Sequence, residues 1–395
     1  MFYHKYQKWW STKHFKNPGL DFMDSDSDPN KRFYTPFQYG SKAYDDYWDE
    51  MDFHIQNGIV YEGQRIAGLH FLYLNFCPIY QKKLKKVEFP GFRAADADVF
   101  LNWEYLFGLG PNGSDPLRPI GESDSKSRQT GHSLKSMVPM IYFTHWVKDS
   151  RNYLGTYNAA EYQKTLPFFW RYAGHLAKYT DFGQPVAKKE ANKKYEFGYY
   201  ETVNGQDVLK GIGSTMECIT FKDNEDKGVG GHVNLFIIEE AGKNPTLIEN
   251  ITFISDACEE EGETTGNILV FGAAGAMDKA KPLGKLHENP ADYRFREFLD
   301  TWNENPIKKT CGYFIPNYSM RVMDKDGNPD AIAGILDRDE KLKNLKKNNY
   351  KSYVEKISQQ PNNPKEMFNL EYKRRFDSKP IEEALAYLIS RGGVG

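Results

Sequence analysis

Residues 233–240 read VNLFIIEE: an apolar run that closes on two adjacent carboxylates, Glu239 and Glu240. A short run without alternation, bounded by turn residues, fits a strand buried on both faces. A second run, Asn267–Phe271, ends in Gly272, and a helix is predicted between the two over Leu247–Cys258. Strands alternating with helices point to an α/β fold with a mostly parallel sheet and helices on both faces. Open sheets of that kind bind ligands at the carboxyl ends of their strands. Glu239 and Glu240 therefore stand where chemistry is expected. One carboxylate can hold a magnesium shell, and the next can polarise an attacking water.

Upstream, residues 126–133 read KSRQTGHS just before an apolar-periodic helix predicted over Leu134–Val147. A phosphate-binding loop needs a small turn residue, backbone N–H groups aimed at the anion, a cation, and a hydroxyl for magnesium. Gly131 and Ser133 fill the end of such a loop, but His132 stands where lysine is usual. Two lysines can replace it. Lys126 opens the loop and can curl back over the phosphates, whereas Lys135 lies in the first helical turn and is expected to point elsewhere. Each segment alone also fits a plainer reading: a helix capped by Ser133, a solvated acidic strand end, a strand followed by a turn. Their order narrows the choice. A loop and helix, a strand ending in Glu-Glu about a hundred residues on, and a strand ending in Gly-Ala form the layout of an ATPase with an added catalytic glutamate.

At this point the chain resembles the ATPase part of the large terminase subunit of tailed bacteriophages. SRQTGHS (Ser127–Ser133) is similar to the terminase phosphate loop, in which Arg-Gln precedes the glycine and a lysine at the loop's start can replace the usual one. LFIIEEAG (Leu235–Gly242) resembles the second ATP motif, with Glu239 in place of the usual aspartate. GAAG (Gly272–Gly275) resembles the coupling motif, with Ala273 where Ser or Thr is usual. Lys227-Gly228 resembles a basic-Gly step. NGIVYEGQRIAGLHFLYLNFCPI (Asn57–Ile79) resembles the entry segment of terminases from crAss-like phages.

The resemblance implies a P-loop NTPase of the ASCE type, with an N-terminal segment covering the nucleotide. It implies ATP and Mg2+ as ligands, and ATP hydrolysis coupled to translocation of double-stranded DNA into a procapsid. Nucleotide binding falls to Lys126, Ser127, Gln129, Thr130, Gly131, His132 and Ser133. Catalysis falls to Glu240 and Arg128, metal binding to Ser133 and Glu239, and coupling to Gly272 and Ala273. DNA contacts would be to phosphates and independent of sequence. A portal protein and a small terminase subunit would be partners of a homo-oligomeric ring, with no membrane, in the host cytoplasm during virion assembly. The expected organisation is an aromatic-rich segment over 1–90, the ATPase over 91–375, and a tail over 376–395 leading to an absent nuclease domain, so no nuclease activity is expected from this chain. Competing readings are a helicase-like or RecA-like ATPase, told apart by strand separation, and a nucleotide-binding structural subunit that no longer hydrolyses ATP, motivated by His132 and Glu239.

Composition adds exclusions. With 54 acidic and 52 basic residues in 395, the formal charge is −2, which excludes a uniformly basic nucleic-acid coat but not a local basic surface. Cys77, Cys218, Cys258 and Cys311 lie far apart, against a zinc site or a disulfide framework and in favour of a reducing compartment. The longest apolar stretches are too short to cross a bilayer. Asp324–Asn328 looks like a calcium loop, but its glycine comes too early, and a surface turn is expected. Tyr3, Tyr6, Trp9 and Trp10 can stack bases, but docking on another chain or simple packing is the expected role. Further helices are predicted over 44–56, 100–107 and 162–179, strands over 66–76, a strand pair over 208–221, a charged connector over 188–194, and a charged helix or helix pair over 337–356.

Overall fold

The computed structural model describes residues 34, 37–61, 63–81, 85–110, 118–190, 194–222, 231–274, 277–303 and 310–368. The aromatic cluster at 3–10, Lys227-Gly228, Gly275 and the expected tail over 376–395 lie outside them. Eight strands form the main sheet: β1 (Gly121–Lys126), β2 (Arg151–Thr156), β3 (Val186–Lys189), β4 (Lys194–Phe197), β5 (Thr215–Thr220), β6 (Leu235–Glu239), β7 (Asn267–Gly272) and β8 (Tyr313–Ile315). Their order is β8-β1-β7-β6-β2-β5-β4-β3. Every neighbouring pair from β8 to β5 is parallel, and β4 and β3 are added through antiparallel pairs. β7 is inserted between β1, which leads into the loop over 127–131, and β6, which ends on the glutamate pair. With helices on both faces, this is an α/β fold whose strand order is that expected of an ASCE-type P-loop NTPase.

The two central strands explain their own hydropathy. Leu235, Ile237, Leu269 and Phe271 face one core, and Phe236, Ile238, Ile268 and Val270 face another. Both faces are covered, so the period-2 alternation of a strand carries no polar partner, and the run reads as continuously apolar. Burying each such side chain contributes about 1.5–3 kcal/mol. The first core is closed by α1 (Lys42–Asn57), α2 (Gly68–Phe76), α3 (Ala94–Leu106), α5 (Met137–His145) and α6 (Ala159–Tyr179). The second is closed by α7 (Leu247–Asp256) and α8 (Met277–Glu288). Cys77 belongs to the first core and Cys258 to the second, and all four thiols are free and buried. The short α4 (His132–Lys135) runs through Ser136, itself helical, into α5. On the far side, α9 (Ala331–Asn348), α10 (Tyr350–Gln359) and α11 (Pro364–Phe368) follow β8. Among the described residues, no helix is long and apolar enough to cross a membrane.

Several expectations are corrected. Residues 66–76 contain a helix rather than strands, because GLHFLYLNF is buried on every side and an all-round apolar helix shows no amphipathic period. The connector over 188–194 overlaps the edge strand β3 and its neighbour β4. The strand pair over 208–221 does not pair with itself. Gln206–Lys210 forms a hairpin with Tyr199–Val203 across Asn204-Gly205, both at positive φ as a tight hairpin turn requires, while β5 runs parallel to β2.

Candidate nucleotide-binding and catalytic site

β1 is the least expected element. GESDSK is polar at every position after Gly121, yet all six residues are buried. Glu122 lies 3.3 Å from Arg296, and Asp124 accepts from the Trp103 indole at 3.0 Å. Burial pushes both carboxyls up, Asp124 to about 6. The strand delivers Lys126 to the sheet's carboxyl edge, and Ser127–Gly131 turn there. Gln129 and Gly131 take left-handed backbone, with φ of 66° and 75°. The turn leaves the amides of Gln129, Thr130, Gly131, His132 and Ser133 without an acceptor among the described residues. The next amides, Leu134 and Lys135, bond to the Gly131 carbonyl at 3.0 and 3.1 Å. Five consecutive donors without acceptors at a helix start are an arrangement able to cradle an anion.

The three cationic candidates separate cleanly. Lys126 is buried and has no ion pair among the described residues, and its ammonium sits 5.8 Å from the centroid of the Phe271 ring. Burial lowers its pKa, opposed by the fields of Glu240 and Glu239. Lys135 is turned away from the loop and fully buried, donating to Asp96 at 2.6 Å. Asp96 is held from the other side by Arg93 at 2.7 Å. His132, where lysine is usual, points into the core, edge-on to Trp103 and 3.3 Å from Asp124. Burial, then Lys135, Lys126 and Arg93, hold its pKa well below the ordinary value, so the ring is neutral and brings no charge to a phosphate. Its backbone amide has no acceptor among the described residues.

Glu239 ends β6, nearly fully buried. The Ser133 hydroxyl donates to one of its oxygens, and the Thr165 hydroxyl, from α6, donates to the other. Burial pushes the Glu239 carboxyl up to about 7 against the pull of these two hydroxyls. Glu240 follows in left-handed backbone, φ 56°, which swings its carboxylate off the strand line. It pairs with Lys243 at 2.9 Å, and Lys243 also reaches Glu161 at 3.2 Å. Burial raises the Glu240 pKa, but Lys126 first and then Lys243 outweigh it, leaving it below the ordinary range and ionised at neutral pH. Gly272, at the end of β7, backs this turn: a Cβ there would stand 2.6 Å from the Gly242 nitrogen and 2.8 Å from that of Ala241. Ala273 is buried beside it.

The loop is also tied to the C-terminal elements. Ser127 N–H donates to Ile315 O at 3.1 Å, and Arg128 N–H donates to Gln359 O at 2.9 Å. Asn317 donates from its side-chain amide to Ser127 Oγ at 3.0 Å. The Arg128 side chain is exposed. The structure therefore gathers the backbone of 127–133, Lys126, Ser133, Glu239 and Glu240 at one edge, with Gly272 behind them. It removes the His132 ring and Lys135 from the cradle. Sequence reading missed Thr165, Lys243, Glu161 and Asn317. Thr165 sits mid-helix among polar and apolar neighbours, and no local signal marks it.

No family model matches the sequence, and no curated protein does. Among solved structures the chain is similar to the large terminase of bacteriophage HK97, with TM-score 0.46 and 11% identity over 75% of this chain and 54% of that one. It is similar to the large terminase ATPase domain of a Thermus phage, with TM-score 0.38 and 11% identity over 66% of this chain and 97% of that one. A third is a large terminase from a thermophilic bacteriophage in complex with ADP, with TM-score 0.32 and 12% identity over 46% and 39%.

Proposed function

We propose that the chain hydrolyses ATP at the carboxyl edge of its sheet and is the ATPase of a motor that drives double-stranded viral DNA into a procapsid. The observation that carries the ATPase reading is the pairing of five amides without an acceptor among the described residues, Gln129–Ser133, with a buried lysine, Lys126, that has no carboxylate partner among them. A polyphosphate answers both needs at once. The Ser133 hydroxyl and the Glu239 carboxylate already meet, and this pair fits a magnesium ion shared with substrate phosphates. Among the described residues no three His, Cys, Asp or Glu side chains gather into a metal cage, so substrate oxygens and waters would complete the shell. When bound, magnesium would neutralise charge on the phosphate oxygens.

The residues divide the work. The loop amides hold phosphate oxygens, and Lys126 offsets their charge. Glu240, ionised at neutral pH, orients a water and accepts its proton as the water oxygen bonds to the terminal phosphorus. The bond from that phosphorus to the bridging oxygen breaks, leaving ADP and phosphate. Arg128, exposed on the loop, stabilises the charge that develops on the transferring group. Gly272 and Ala273, packed behind the Glu240 turn, carry the nucleotide state onward.

The packaging reading rests on the terminase-like form of the loop, with Lys126 at its start and Arg128-Gln129 before the glycine, and on the order of the three motifs. It brings with it sequence-independent duplex contacts, a ring on a portal, a small-subunit partner, and action in the host cytoplasm. The test is ATP turnover by the pure chain with and without duplex DNA, beside a strand-displacement assay. Turnover with translocation and no unwinding is expected. Strand separation would move the chain to the helicases, and absence of turnover would leave a nucleotide-binding subunit.

A further inference from the structure

We infer that the helix pair α9–α10 presents a lysine face that binds the phosphate backbone of duplex DNA and is coupled to the phosphate loop; the inference rests on the motor reading and names the surface it would use. In a chain of net charge −2, residues 340–356 hold six lysines against two glutamates. All six lysines are exposed. Lys341 and Lys343 pair with Asp337 and Glu340 at 2.9 and 3.3 Å. Lys346, Lys347, Lys351 and Lys356 have no carboxylate partner among the described residues. Lys343, Lys346 and Lys347 fall at i, i+3 and i+4, on one side of α9. Tyr350, at the junction of the two helices, is 59% exposed, and the Lys346 ammonium lies 5.5 Å from the Tyr353 ring centroid. Unpaired ammonium groups on long stems, spaced about 5.4 Å per helical turn, suit a polyanion with closely spaced charges and read no base.

The face stands on a fixed base. Asn349 caps α10, accepting from Ser352 N–H at 3.0 Å. The buried Arg338 of α9 donates to Gln360 O at 3.0 Å and to Glu366 at 2.6 Å, binding the two helices and α11 together. The pair is bolted to the phosphate loop where it ends. Gln359 O accepts from Arg128 N–H at 2.9 Å, and Pro361 O accepts from Asn317 N–H at 2.7 Å, with Asn317 also donating to Ser127. A shift of the loop on nucleotide binding is thereby transmitted to α10, and DNA held on the pair bears on the loop.

The test compares the full chain with the Lys346→Ala/Lys347→Ala/Lys351→Ala variant. Binding of a random-sequence duplex is followed by fluorescence anisotropy over a series of salt concentrations, and ATP turnover is followed with and without duplex. Each DNA phosphate that is no longer neutralised lowers the salt slope by about 0.9, so the slope should flatten by about 2–3 and affinity should fall about tenfold at moderate salt. Stimulation of turnover by DNA should fall with it, while turnover without DNA is unchanged. Unchanged duplex affinity and slope would overturn the inference and leave the face to an acidic protein partner. If the parent hydrolyses ATP but does not bind duplex, the surface is refuted and the ATPase reading stands. If the parent binds duplex through these lysines but does not hydrolyse ATP, the reverse holds.

Discussion

Gly272 lies against Gly242 so closely that a Cβ on the first would stand 2.6 Å from the amide nitrogen of the second. The last residue of β7 therefore sets the position of the turn that follows Glu240. Gly272→Ala should push that turn outward, at a cost of about 1–3 kcal/mol in stability. Nucleotide affinity should stay near that of the parent while kcat falls. Equilibrium binding of a fluorescent nucleotide beside steady-state turnover separates the two, and parental kcat would argue against the contact's role.

Glu240→Gln keeps the shape of the side chain but cannot accept a proton. Turnover should fall about a hundredfold or more, the scale of a positioned general base, with ATP still bound. A variant that hydrolyses ATP like the parent would remove Glu240 from the mechanism.

The two lysines near the loop should fail in different ways. Lys126→Ala should weaken ATP binding or turnover with little loss of stability, since it breaks no ion pair among the described residues. Lys135→Ala leaves Asp96 buried with Arg93 alone, which should cost about 3 kcal/mol in unfolding free energy. Denaturant unfolding and nucleotide titration of both variants give the comparison. Loss of ATP affinity in the folded Lys135 variant, with none in the Lys126 variant, would reverse the assignment.

Thr165 holds the Glu239 oxygen that Ser133 does not. Thr165→Val should leave Glu239 held by Ser133 alone and raise the magnesium concentration needed for tight nucleotide binding. Nucleotide affinity measured across a magnesium series reads this directly. An unchanged magnesium dependence would show Thr165 to be a packing residue only.

Asp124 carries a pH signature. Burial pushes its carboxyl up to about 6 from 3.8, so over that interval the folded chain holds a proton that the unfolded chain has lost. Its contribution to stability is full below the lower value and is lost as pH rises through the upper one. In Asp124→Asn that loss is absent, and Tm should decline less between pH 4 and 6.5 than in the parent. A slope equal to the parent's would place the titration elsewhere, with Glu122 the neighbouring candidate.

Where side chains alone decide an element, the sequence was readable. β6 and β7 are apolar on both faces, and no other reading of LFII or ILVF competes with a buried strand. Helices with one wet face, such as α6 and α7, declare their period. β1 was unreadable because its burial is that of a polar strand. GESDSK is held by the Trp103 indole, Arg296 and pairing on both edges, all distant in the chain. α2 failed for the opposite reason, having no polar face to mark a period. At the site, Glu239, Glu240 and Ser133 could be named because the motif fixes their order along the chain. Thr165 and Asn317 could not, since each meets its partner only through the packing of a separate element. His132 shows the limit of position as evidence: its place in the motif suggests a phosphate contact, and its ring lies in the core.

The two cores on either face of the sheet each contain a thiol with no route to solvent. Cys77 reports on the side closed by α1–α3, α5 and α6, and Cys258 on the side closed by α7 and α8. Burial suppresses the reactive thiolate at both, pushing Cys258 up to about 12. Neither can be labelled until its own half opens. Cys77 and Cys258 thus serve as internal clocks, and the order in which a thiol reagent reaches these two records which half of the molecule loosens first.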